Sequence, residues 1–280
     1  MWFILSLLAG LLFAVNRLIV RSSLTKKVNL FAFGAIHEVL AGAILLPIAF
    51  LQLSFPKSNE TLIALILGII FIFLADLFAF LCLAHIEATL YQIIGQLRHI
   101  IVLIGAYFLF TEPISLIKII SIILIIFGVY IALSVNSKIT ITKGVIYAVL
   151  STVCISLGFL FIKEATVDVA PSVSASLSLI VSGILIYIIM YGTKKYRLEL
   201  NLKGNIKNLV IAAVIFALFE LTLFTALSSG QASLVTPVTQ SSMIFTLIGG
   251  YIFLQERNNL SKKIIGSVLI VVGIIMLYFV

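Results

Sequence analysis

Ten predominantly apolar stretches follow one another along this chain, each about 19 to 25 residues long and separated by short polar interruptions. They cover residues 2–20, 29–53, 61–84, 87–110, 114–134, 143–163, 170–192, 206–228, 232–254 and 260–280. A hydrocarbon core about 30 Å thick is crossed by roughly 20 residues of α-helix, so each stretch reads as one crossing. A backbone in lipid must satisfy its own hydrogen bonds, and runs this long without alternation suit helices rather than barrel strands. With 62% hydrophobic and 10% charged residues, the 280-residue chain leaves little for a soluble domain. The fold class read from this pattern is an all-α polytopic membrane protein of ten transmembrane helices.

Turn formers support the cuts, among them Pro56 with Lys57 to Asn59, Glu112-Pro113, Asn136 to Lys138, Pro171, Ser228 to Gly230, and Glu256 to Ser261. The first run has no positive segment before it and no A-x-A site after it, which reads as a retained helix rather than a signal peptide. Cys82 and Cys154 both lie in apolar runs and make neither a disulfide framework nor a metal-ligand spacing. No cofactor or metal is called for.

Sliding the chain on itself by 144 positions reveals a repeat. Asp76 falls on Glu220, Phe80 on Phe224, Ala88 on Ala232, Thr89 on Ser233, Leu90 on Leu234, Gln96 on Gln240, Gly105 on Gly249, Tyr107 on Tyr251, Glu112 on Glu256 and Lys118 on Lys262. The halves are residues 1–135 and 136–280, with five helices each. An odd number of crossings turns the second copy upside down in the membrane, and such inverted repeats suit alternating access.

The stretch from Ala226 through Ser229-Gly230-Gln231-Ala232-Ser233 to Thr236-Pro237, continuing to Gly249-Gly250-Tyr251 and Glu256-Arg257, resembles the EamA domain of the drug/metabolite transporter superfamily. Ala84 to Glu112-Pro113 resembles it more weakly. The resemblance implies two inverted EamA-like repeats of five helices around a central cavity, exporting or exchanging metabolites such as amino acids. It says little about the substrate.

The net charge of +8 comes from residues between helices, not from a basic stripe. Anionic lipid of the bilayer is the expected partner, and nucleic acid is not. Fourteen Lys and Arg follow odd-numbered helices, three (Lys57, Lys118, Lys163) lie on the opposite side, and Arg98 is inside a span. The positive-inside rule then puts the odd loops in the cytoplasm and both termini outside the plasma membrane, the reverse of the usual assignment for relatives.

Ionisable groups at bilayer depth are costly, which makes each one a candidate for function. Arg98 has a fork suited to carboxylate or phosphate; with Tyr91, Gln92, Gln96, Thr236 and Gln240 it makes the expected substrate-binding set. The alternative for Arg98 is an ion pair with Asp76 or Glu38. His37, Glu38, Asp76, His99 and Glu220 form the expected proton-coupling or gating set, with interhelical bonding as the plainer role. Pro237 removes a helix bond at mid-membrane. Glu112 and Glu256 read as loop residues, and the serines of the seventh helix as close packing or solute contact. Hydrolase patterns are missing: there is no G-x-S-G, Asp76 is the one Asp in a span, and Ala41 stands where H-E-x-x-H needs its second His. The reading is a carrier, not an enzyme, that moves a small polar molecule such as an amino acid or related organic ion, probed against a channel, scramblase or uncoupled facilitator. It acts as a monomer or homodimer, with protons as candidate coupling ions.

Overall fold

The computed structural model describes residues 1–24, 30–83, 85–86, 91, 94–133, 142–192, 206–245, 248 and 260–280. The helices are α1 (Trp2–Leu24), α2 (Leu30–Leu51), α3 (Asn59–Leu83), α4 (Leu97–Phe110), α5 (Leu116–Leu133), α6 (Lys143–Ala165), α7 (Pro171–Gly192), α8 (Ile206–Ser229), α9 (Ala232–Val238) and α10 (Leu260–Tyr278). A 3₁₀ turn, Thr239–Ser241, continues α9. Six of them (α1, α2, α3, α6, α7 and α8) are long and apolar enough to cross a membrane, and α4, α5 and α10 are shorter apolar helices. Local signals act at two helix starts. Thr142 accepts a hydrogen bond from Val145 N as the N-cap of α6, and Pro171 occupies the first position of α7, where its missing N–H costs nothing.

The contacts carry the mark of duplication. α3 packs on α6 and α1 on α8; α2 packs on α7 and α5 on α10; α2 also meets α8 and α3 meets α7; α4 meets α6 and α1 meets α9. Exchanging each helix for its counterpart five places along maps α2–α7 and α5–α10 each onto itself and interchanges the other six pairs two by two. The repeats therefore interlock about a pseudo-two-fold axis, as two inverted five-helix units would.

This symmetry reaches single residues at two crossings. Between α2 and α7, a Cβ added to Gly42 would sit 2.9 Å from Ser176 O, and one on Gly183 would sit 2.7 Å from Ala35 O. Gly183 follows Gly42, and Ser176 follows Ala35, by the same 141 positions. Between α5 and α10, Gly128 faces Gly266 O at 2.7 Å and Gly273 faces Ser121 O at 2.8 Å, again at one common offset, here 145. Lipid offers no hydrophobic drive between helices, so close backbone approach supplies the packing energy. Ser176 Oγ adds a bond to Gly42 O at 2.9 Å, which makes it a packing serine.

The buried core joins Ala41 and Leu45 of α2, Leu65 and Ile72 of α3, Leu160 and Ile162 of α6, and Ala213 and Leu223 of α8. Large apolar residues point outward instead: Phe108 of α4 is 76% exposed and Ile188 of α7 is 56% exposed, as a lipid-facing surface requires.

The expected fourth and ninth spans differ from the structure in an instructive way. Both are interrupted at the same level of the repeat. Gly95 and Gln96 form a turn before α4, and the 3₁₀ turn of Thr239 and Gln240, 144 positions on, follows Pro237. Hydrophobicity alone reads through such a break, because an interrupted helix is as apolar as a continuous one.

Candidate functional site

The two breaks bring the repeats together. Arg98, in the first turn of α4, donates from Nη2 to Gln240 Oε1 at 2.7 Å. Among the described residues it makes no ion pair with Asp76 or Glu38, so the expected structural pair is replaced by a bond to an uncharged amide. Gln96 is buried beside it, and His99 is fully buried against Gln240. Tyr91, just before the first break, reaches Ser151 Oγ of α6 at 3.0 Å. Ser151 spends its own proton on Ala75 O at 2.8 Å, so Tyr91 is the donor in that pair. Thr236 is different: its hydroxyl bonds back to Ala232 O of its own helix at 3.0 Å, which leaves it facing the backbone rather than the space between the repeats. Gln92 lies outside the described residues, as do Glu256 and Arg257.

A second group of polar side chains lies on α1, α2, α3 and α8. Glu38 is within electrostatic range of Asp76 and Glu220, and of Arg17. Glu38 and Glu220 are buried, at 4% and 8% exposure, and each has one oxygen, Oε2, with no hydrogen-bond partner among the described residues. Asp76, Tyr91 and Arg98 keep intermediate exposure although all three lie between packed helices. His37 Nε2 sits 3.1 Å from Asn16 Nδ2, which also donates to Ala212 O at 2.9 Å. Of the expected coupling set, the structure thus draws Glu38, Asp76 and Glu220 together, links His37 to Ala212 O of α8 through Asn16, and puts His99 with Arg98 and Gln240.

Two further polar clusters join the repeats at the face formed by the loops after even-numbered helices. Thr111 ends α4 with φ 53, a left-handed conformation rare for a β-branched residue, and so turns Glu112 back toward the bundle. Glu112 accepts from the backbone N–H of Ala232 at 2.8 Å and of Ser233 at 3.1 Å, and from the Ser233 hydroxyl. It caps α9 from the other repeat. Lys163 pairs with it at 3.2 Å and donates to Gly230 O. Burial pushes the Glu112 carboxyl up, but the Ser233 hydroxyl, Lys163 and the two amides outweigh that and hold it below the usual carboxylate range. Lys118 is fully buried and spends its three protons on Pro113 O, Gln231 Oε1 and Ser233 Oγ, each at 2.9 Å. The second cluster is built on Asp168, which accepts from Lys57 N at 3.1 Å and Thr61 Oγ1 at 3.0 Å. Ser54 accepts there from Ala170 N, and Ser172 donates to Gln52, both at 2.7 Å.

Counting charges by loop missed these roles. Lys118, counted only by its side of the membrane, is the largest fully buried side chain among the described residues, and Arg17, counted in the same way, belongs to α1 and acts on Glu38. A signal was present for Arg17: Phe13 lies four residues before it, on the same helix face.

Fold and site together define a polytopic membrane protein of two interlocked inverted repeats with ionisable groups at their junction. The EamA-like transporter family matches residues 1–134 and again 142–279, and the chain belongs to that family. It is a membrane transporter of the drug/metabolite type. A crystal structure at 16% identity superposes with a TM-score of 0.80 over 98% of this chain and 95% of that one, a likeness of fold alone. An uncharacterized protein of Methanocaldococcus jannaschii is 38% identical over 68 residues, which are 24% of this chain and 49% of that protein. The match thus spans about half the length of that curated relative.

Proposed function

We propose that the protein is a carrier that exports a small polar metabolite, an amino acid or a related organic ion, across the plasma membrane by alternating access. The observation that carries this reading is the Arg98–Gln240 bond, made between repeats where both helices are interrupted. Interrupted helices that meet at mid-membrane are the usual setting for a transported solute. Arg98, Gln96, Gln240 and Tyr91 contact the solute in this reading. His37, Glu38, Asp76, His99 and Glu220 couple its movement to protons or gate it.

The two halves, 1–135 and 136–280, are the units whose corresponding helices exchange conformations in this reading. The even-loop face is held by the Glu112 and Asp168 clusters, while Asp76, Tyr91 and Arg98 keep partial exposure. That combination describes a carrier shut on the even-loop side and entered from the odd-loop side. The charge bias puts the odd loops in the cytoplasm and both termini outside, so the conformation faces inward.

Solute counterflow in proteoliposomes is the test. Saturable counterflow of at least one amino acid or organic ion, lost on Arg98→Ala, is expected. Conductance that does not saturate, or activity indifferent to Arg98, contradicts the carrier.

A further inference from the structure

Three helices present an aromatic ring one turn from an ionisable group on the same face. The pairs are Phe13 and Arg17 on α1, Phe33 and His37 on α2, and Phe216 and Glu220 on α8. The rings form a continuous series: Phe13 lies 5.0 Å from Phe219, Phe219 lies 5.6 Å from Phe216, Phe216 lies 4.8 Å from His37, and His37 stacks on Phe33 at 6.1 Å. Glu38 and Glu220 stand beside this series with an unpartnered, buried oxygen each, and Asp76 faces both of them from α3.

A buried carboxylate oxygen ordinarily collects a donor, and two left without one on adjacent helices describe a place made for a cation. Arg98 is turned to Gln240, and His37 accepts at Nε2 from the Asn16 amide, so neither supplies a donor to the two free oxygens. Arg17 itself shows how a cation sits there: its guanidinium carbon is 4.7 Å from the centre of the Phe13 ring, it remains exposed, and it acts electrostatically on Glu38 and Asp76. Aromatic faces and carboxylates together are the usual receptor for ammonium and guanidinium groups.

We propose that Phe13, Phe216, Glu38, Asp76 and Glu220 form a binding site for an organic cation carrying an ammonium or guanidinium group, and that Arg17 is a tethered cation which the solute displaces. This rests on the carrier reading and narrows its substrate class. Arg17 from α1, His37 from α2 and Tyr91 before α4 are the other titratable or charged groups facing the acids, so the selectivity rests on the three acidic side chains together rather than on one residue.

The test is titration of the purified full chain in detergent with 1,4-diaminobutane, guanidinium and tetraethylammonium, with glutarate and glucose as comparisons. At least one cation is expected to bind, and glutarate and glucose are not. Glu220→Gln and, independently, Glu38→Gln are expected to weaken cation binding at least tenfold. Arg17→Ala is expected to strengthen it about threefold or more, whereas a merely structural arginine would weaken it. Binding of glutarate or glucose in place of all three cations overturns the proposal, whether or not the variants fold. So does cation binding that is unchanged in either glutamine variant, or weakened in a well-folded Arg17→Ala protein. Counterflow of an anion or neutral solute without cation binding removes the cation site and leaves the carrier standing; cation binding without counterflow of any solute does the reverse.

Discussion

Arg98 of the first repeat and Gln240 of the second are bonded at 2.7 Å, and each belongs to an interruption that the other repeat reproduces. The bond occupies Nη2 with an uncharged acceptor, and the buried Nε of Arg98 has no hydrogen-bond partner among the described residues, so the guanidinium keeps donors for a ligand.

Arg98→Ala and Gln240→Ala are each expected to lower transport about tenfold or more, the size of a lost hydrogen bond to a charged group, while leaving protein that elutes as wild type from a sizing column. Arg98→Lys restores little, because an ammonium lacks the planar fork. Initial rates of uptake measure this, and full activity in the lysine variant would show that charge alone suffices.

Breaking the Glu112 cluster is expected to loosen the even-loop face. Glu112→Gln leaves Lys163 without its counter-ion and should cost about 3 kcal/mol, the low end of the range for a disrupted buried pair because Lys163 keeps 17% exposure. Glu112→Gln with Lys163→Met should cost less than the two single changes added together. Thermal unfolding in detergent reads both, and strict additivity would mean that the pair is not coupled.

Acid should erase the same contribution. Because Glu112 is held below its ordinary value of 4.5 in the folded protein, its ionised form stabilises the fold fully above 4.5, and that contribution is lost as pH falls through the lower folded value. The difference in melting temperature between wild type and Glu112→Gln is expected to be constant at neutral pH and to shrink below 4.5. A difference that grows on acidification would reverse the sign of the argument.

The pseudo-two-fold makes its own prediction. Gly128→Ala and Gly273→Ala each drive a methyl into a facing backbone carbonyl at under 3 Å. Both should destabilise by similar amounts, about 1–3 kcal/mol, by forcing α5 and α10 apart. Melting temperatures of the two variants check it, and a large cost at one glycine with none at the other would show that the two sites are not equivalent.

The fold was legible because lipid leaves few options: apolar length named the crossings, and the match of Asp76 with Glu220 and Gln96 with Gln240 named the duplication. The interruptions at Gly95 and Thr239 were not legible as breaks, since a turn made of Gly, Gln and Thr inside an apolar run barely changes hydropathy; only Pro237 hinted at one. Ionisable groups inside the bundle were legible where a charge interrupts an apolar run, as with Glu38 and Arg98. They were missed where a charge sits near the end of a run, as with Arg17, Lys118 and Lys163, because the sequence does not tell whether a terminal charge snorkels outward or turns in toward a neighbouring helix.

Alternating access requires the even-loop face to open in every cycle, and Thr61 and Asp168 meet at 3.0 Å across that face. The decisive measurement replaces both by cysteine, Thr61→Cys with Asp168→Cys, in a protein whose Cys82 and Cys154 are serine, and follows proteoliposome counterflow before oxidation, after oxidation, and after reduction. A rocking carrier loses transport when the crosslink forms and regains it when the crosslink is reduced. Undiminished transport through a fully crosslinked protein would mean that the repeats need not separate there, and the account would be wrong.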